Sequence, residues 1–161
     1  MADVKILMVC LGNICRSPLA EGILREKARQ KSARVFVQSA GTGGWHTGEP
    51  PHHLSQKVAA INKVDISGQR ARKFRASDIL DFDFVYCMDQ NNLEDVRKIS
   101  GNHWIPEKAG LILDLLPELG IREVPDPYYG GFDGYIHVYN LLDRACDRII
   151  ENLQSFEDPG E

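Results

Sequence analysis

The sequence lacks any apolar run long enough to cross a bilayer, so a membrane-spanning helix is not expected. Met1-Ala2-Asp3 offers no basic leader and no small-residue cleavage site follows, which argues against a secretory signal. Cysteine is sparse. Its four copies stand at 10, 15, 87 and 146, without a second pair at zinc-site spacing. In the cytoplasm expected for such a chain they read as thiols rather than as a disulfide scaffold. The Gly-Lys-Ser/Thr ending of a nucleotide-binding P-loop is missing. No basic run is interleaved with aromatics, which makes nucleic acid a poor partner. Internal repeats, linkers and low-complexity stretches are also absent, so 1–161 reads as one domain.

What is present is an ordinary globular composition, 43% hydrophobic and 26% charged over 161 residues, enough for one compact core. The net charge of −4 conceals an uneven distribution. Residues 1–75 carry 13 Lys/Arg against 5 Asp/Glu, and the remainder carry 6 against 18. This asymmetry fits either chance and solvated helix faces or an N-terminal half biased to attract anions.

That half contains Val9-Cys10-Leu11-Gly12-Asn13-Ile14-Cys15-Arg16-Ser17-Pro18, between an apolar run (4–9) and a helical pattern (19–30). A thiol thus stands where a buried strand turns into a helix, a natural place for an anion. Gly12 would allow close backbone approach, and the amides from Leu11 to Ser17 could form a cradle. Arg16 offers a planar fork to two phosphate oxygens. The same positive field favours the thiolate of Cys10, which could then attack phosphorus. Ser17 reads as the helix N-cap with Pro18 at the first helical position, and Asn13 as a brace for the loop. A phosphothiol reaction also needs an acid for the leaving oxygen. Asp126, between Pro125 and Pro127 and beside Tyr128 and Tyr129, is the candidate, although Pro-Asp-Pro is also good turn chemistry.

Strands are expected at 4–9, 35–39, 84–89 and 109–114, and helices at 19–30, 52–62, 91–99 and 133–156, with a short helical turn at 77–80. Strands alternating with helices imply a parallel sheet covered on both faces, with ligands at the C-terminal strand ends. The five histidines carry no motif and read as surface or structural.

The stretches 9–18 and Asp126-Pro127-Tyr128-Tyr129-Gly130-Gly131, together with Ser39-Ala40-Gly41-Thr42 and Met88-Asp89, resemble the low-molecular-weight protein tyrosine phosphatases, bacterial-type members above all. The resemblance implies a flavodoxin-like α/β domain whose four parallel strands run in order 2-1-3-4. It implies a two-step reaction needing neither metal nor cofactor. Cys10 would be the nucleophile, Arg16 the phosphate ligand, and Asp126 the acid and then the base. Asn13, Ser17 and Ser39 would support the phosphate loop, with Gly12, Ile14 and Cys15 completing it. Leu11, Trp45, Tyr128 and Tyr129 would wall the slot for the aromatic ring. Cys15 would close a protective disulfide with Cys10. Partners would be phosphotyrosine proteins, a tyrosine kinase among the candidates, with the phosphatase a cytoplasmic monomer or weak dimer. One departure is Gln69, where many members carry histidine in this Gly-x-x-Ala-Arg segment.

Two other activities occur on this scaffold. Arsenate reduction needs relay thiols, whereas Cys87 stands alone and Cys146 lies far along the last helix. Arginine phosphatases carry threonine where this chain has Ile14, whose methyl groups suit a phenol ring. A catalytically dead phosphoprotein-binding module is disfavoured by the intact Cys10, Arg16 and Asp126.

Overall fold

The computed structural model describes residues 3–157. Strand β1 (Val4–Cys10) leads into α1 (Arg16–Gln30), β2 (Val35–Gly41), α2 (His53–Ile61) and the short α3 (Asp78–Asp81). Next come β3 (Phe84–Cys87), α4 (Gln90–Ser100), β4 (Ala109–Leu111) and the long α5 (Phe132–Glu157). All strand pairs are parallel, in the order β2-β1-β3-β4. The fold class and strand order match the sequence-based expectation. No helix among the described residues is long and apolar enough to cross a membrane.

Strand β1 is central and apolar because both of its faces are covered. Alternate side chains enter different cores. Ile6, Met8 and Cys10 join the layer containing Leu19, Ile23, Tyr135, Leu142 and Ile149 of α1 and α5. Leu7 and Val9 join the opposite layer with Phe74, Ile79, Val85 and Val96. The register aligns Cys10 with Gly41, so β1 and β2 end level with each other. The loop after β1 must therefore fold over the end of β2.

The two boundary shifts of three residues are at the end of β4 and the start of α1. The segment 109–114 leaves the sheet after Leu111, because Ile112–Leu115 form a 3₁₀ turn that sends Ile112 and Leu113 into the α1/α5 layer. Helix α1 begins at Arg16, with Cys15 rather than Ser17 as its N-cap residue. Ser17 does not cap because its hydroxyl is engaged elsewhere, by the thiol of Cys10.

Candidate active site

The loop closes around Cys10 through a chain of buried hydrogen bonds. Cys10 Sγ lies 3.0 Å from Ser17 Oγ. Asn13 Nδ2 donates to both Ser17 Oγ (2.7 Å) and Ser39 Oγ (2.9 Å), and Ser39 donates to Glu21 Oε1 at 2.6 Å. Asn13 Oδ1 in turn accepts from the backbone N of Arg72 at 3.0 Å. Glu21 accepts from Arg25 at 2.6 Å and anchors Ser39 as well.

Asn13, not Gly12, takes the left-handed conformation, with φ of 57°. Asparagine tolerates this region better than most residues, and its side chain is over-determined by three partners. Gly41 supplies the close approach. A Cβ there would sit 2.7 Å from the carbonyl O of Leu11, so β2 can lie beneath the loop only without a side chain. Gln69 does not enter this network: its Nε2 donates to the carbonyl of Pro18 in the first turn of α1. Asn13→Ala is expected to lose about 1–3 kcal/mol of stability through unpaired buried partners. It should also lower kcat by roughly tenfold or more, because an alanine at positive φ relaxes the loop. Denaturant titration and steady-state kinetics on the same preparation check both.

Arg16 is only 2% exposed, so its charge must be compensated. Its Nη1 donates to Asp89 Oδ2 at 2.8 Å and to the carbonyl of Val124 at 3.0 Å. Its Nη2 lies 3.7 Å from Asp126 Oδ2. Burial opposes the charge, but Cys10, Asp89 and Asp126 outweigh it and hold the guanidinium more basic than usual. Asp89 also caps α4: its Oδ1 accepts from Asn92 N at 2.8 Å, within a capping box. One carboxylate thus fixes both a helix and the arginine. Sequence reading matched Met88-Asp89 to a family motif but gave Asp89 no role. Its local signal, an Asp-x-x-Asn helix start, points to capping alone.

These residues open onto a pocket of about 340 Å³. Cys10, Leu11, Gly12, Ile14, Cys15 and Arg16 form its floor and near side. Trp45 and His46 form one wall, and Asp126, Tyr128 and Tyr129 the other. The wall residues are strongly exposed, Trp45 by 73% and Tyr129 by 93%. Trp45 is nevertheless placed, because its ring folds onto Gly43, where any Cβ would fall 1.9 Å from the ring. Asp126 is held by an Asx turn, its Oδ1 accepting from Tyr128 N at 3.0 Å.

Two histidines take part that carried no motif. His46 Nδ1 lies 2.6 Å from Glu49 Oε2, and its ring faces Tyr128 across the pocket, centroids 6.4 Å apart. His52 Nδ1 accepts from Leu54 N at the start of α2. Its ring stacks on Tyr135 at 5.2 Å and meets Tyr128 edge-on at 5.8 Å. Nothing local to His46 or His52 announces these contacts, which depend on the packing of α2 against α5.

The other thiols differ from Cys10 in their surroundings. Cys15 is buried, with Sγ 3.5 Å from Tyr135 Oη, and burial pushes its pKa up to about 11. Burial pushes Cys87 and Cys146 up as well. At neutral pH Cys15 is held as the thiol and ionises only in alkali. Brief treatment with iodoacetamide at pH 7 is therefore expected to label Cys10 alone, with Cys15 following only in strong alkali. Peptide mapping reads this directly, and equal labelling of both at pH 7 would contradict it.

Comparison with known proteins agrees with this geometry. The profile of the low molecular weight phosphotyrosine protein phosphatase family matches residues 5–157. The low molecular weight protein-tyrosine-phosphatase YfkJ of Bacillus subtilis is 36% identical over 94% of this chain and 96% of its own. The crystal structure of YfkJ superposes with a TM-score of 0.90, at 34% identity over 98% of this chain and 99% of that one. Staphylococcus aureus PtpA, another low molecular weight protein-tyrosine-phosphatase, is 38% identical over 93% of this chain and 94% of its own. A Drosophila arginine phosphatase shares the fold with a TM-score of 0.86, at 27% identity over 94% of this chain and 99% of that one. With its profile match spanning nearly the whole chain and these relatives aligned end to end, the protein belongs to the low-molecular-weight protein tyrosine phosphatases.

Proposed function

We propose that the pocket hydrolyses phosphotyrosine in proteins, with Cys10, Arg16 and Asp126 as the reacting residues. The observation that carries this reading is the convergence of a buried thiol, a buried arginine and a carboxylate on one pocket flanked by aromatic rings. The phosphoryl group sits on the loop amides and the Arg16 fork. The Cys10 thiolate attacks phosphorus, and the P–O bond to the tyrosine breaks as Asp126 gives its proton to the phenolic oxygen. Water then attacks the phosphocysteine, Asp126 takes its proton, and the S–P bond breaks to release phosphate. Ser17 donates to the departing sulfur.

Leu11, Trp45, Tyr128 and Tyr129 bracket the ring. Ile14, buried and lining the pocket, favours a flat phenol over a guanidine. This matters because the Drosophila neighbour is described as an arginine phosphatase. The deciding experiment offers matched phosphotyrosine and phosphoarginine peptides, read by phosphate release. Faster turnover of the tyrosine peptide is expected, and Ile14→Thr should narrow the ratio. Preference for phosphoarginine would overturn the assignment.

Cys15 completes the loop as the second sulfur. Once a peroxide converts Cys10 to a sulfenic acid, Cys15 attacks that sulfur, water leaves, and a disulfide protects the nucleophile. Dilute hydrogen peroxide should give a Cys10–Cys15 disulfide by mass spectrometry. Cys15→Ala should instead accumulate irreversible sulfonic acid on Cys10.

A further inference from the structure

Outside the Trp45 wall lies a basic segment that the reaction does not use. Residues 66–75 run back along the end of β2. Gly41 N donates to Arg72 O at 2.8 Å, and Phe74 N donates to Gly41 O at 2.7 Å. This bridge fixes Lys73 beside the loop that carries Trp45. The neighbouring cations are spoken for. Arg72 turns inward to buried Asp78, with contacts of 2.9 and 3.2 Å, and Arg75 lies 3.9 Å from the same carboxylate. Lys73 points out between them. Among the described residues it has no carboxylate partner, and it is exposed. Its stem rests on the loop: a Cβ added to Gly44 would meet Lys73 Cδ at 3.5 Å. The stem is thus tethered against Gly44, the chain neighbour of Trp45, which lines the pocket.

The rim is electrostatically one-sided. The facing wall contributes Asp126 and two uncharged tyrosines, and the Glu49 carboxylate is engaged by His46. A phosphotyrosine whose ring occupies the slot leaves its main chain at this rim, so one flank of the peptide passes Trp45 and Lys73. Successive Cα atoms lie about 3.8 Å apart, so a side chain one to three residues from the phosphotyrosine comes within lysine reach.

We propose that Lys73 is a specificity-determining residue that receives an Asp or Glu carboxylate flanking the phosphotyrosine, so that acidic phosphopeptides are the preferred substrates. The inference rests on the phosphotyrosine reading given above. A single solvent-exposed pair of this kind strengthens binding by about two- to fivefold at low salt. The preference fades as ionic strength rises and the Debye length shrinks.

The test compares kcat/KM for synthetic phosphotyrosine peptides carrying Glu or Gln at positions −3 to −1 or +1 to +3, with p-nitrophenyl phosphate as the flank-free control. With one of the two flanks, the Glu peptide should be favoured about two- to fivefold in the wild-type protein. That ratio should fall to about one in Lys73→Ser and below one in Lys73→Glu, while p-nitrophenyl phosphate turnover stays unchanged. Sodium chloride should erode the wild-type ratio but leave the Lys73→Ser ratio flat. If both peptides are hydrolysed and the ratio survives Lys73→Glu, the role of Lys73 is overturned and the phosphotyrosine reading stands. If p-nitrophenyl phosphate is turned over but neither peptide is, both are overturned.

Discussion

Cys10→Ser should lower phosphatase turnover by a factor on the order of 10⁴ or more while leaving the fold intact. The two halves of that expectation have separate causes. A serine hydroxyl at the end of β1 fits a site already built to hydrogen-bond, since Ser17 Oγ lies 3.0 Å from the present sulfur. The buried network from Asn13 through Ser39 to Glu21 does not depend on the thiol, so stability should change little. The nucleophile, however, changes from an intrinsically strong sulfur nucleophile to a hydroxyl, which is far weaker without a dedicated base. Phosphate release from p-nitrophenyl phosphate measures the loss, and calorimetry checks the fold. Retained binding of a phosphotyrosine peptide would separate lost chemistry from a lost site. Turnover within tenfold of the wild type would remove Cys10 as the nucleophile.

Legibility in the sequence followed distance along the chain. The loop 10–17 was readable because its thiol, arginine and bracing residues are contiguous and end on a helix. What the contiguous reading misassigned was Ser17, a good N-cap by type whose hydroxyl the tertiary structure commits to Cys10 and Asn13 instead. The positive φ of Asn13 was not foreseen, because the partners that hold it there, Ser17, Ser39 and Arg72, lie up to 59 positions away. Asp89 was hidden by its own double use, since helix capping already accounts for its type and position. His46 and His52 were invisible for a different reason: ring contacts with Tyr128 and Tyr135 follow no spacing rule. The parallel sheet was legible in the alternation of strands and helices, whereas the strand order came only with the resemblance to the family. The early end of β4 was not legible, because Ile112 and Leu113 are as apolar as strand residues and only the demand of the α1/α5 layer turns them away.

Asp126→Asn is the more discriminating substitution, because its effect should depend on what leaves. Asparagine preserves the geometry. Its amide oxygen can still accept from Tyr128 N, the 3.0 Å bond that shapes the turn. The approach to Arg16, 3.7 Å from Oδ2, loses charge but not volume. What disappears is the proton for the phenolic oxygen. With phenyl phosphate, whose leaving oxygen must be protonated as it departs, kcat should fall by about 10²-fold or more. With 2,4-dinitrophenyl phosphate, whose leaving group departs as a stable anion, the loss should be several times smaller. Plotted against leaving-group basicity, the rates of the variant should therefore slope more steeply than those of the wild type. An equal loss for every ester would mark Asp126 as a structural turn residue, and an unchanged rate would place the acid elsewhere. Sequence alone left the catalytic and turn readings of Asp126 open, and the shape of this dependence distinguishes them, because a damaged turn has no means of sensing the leaving group.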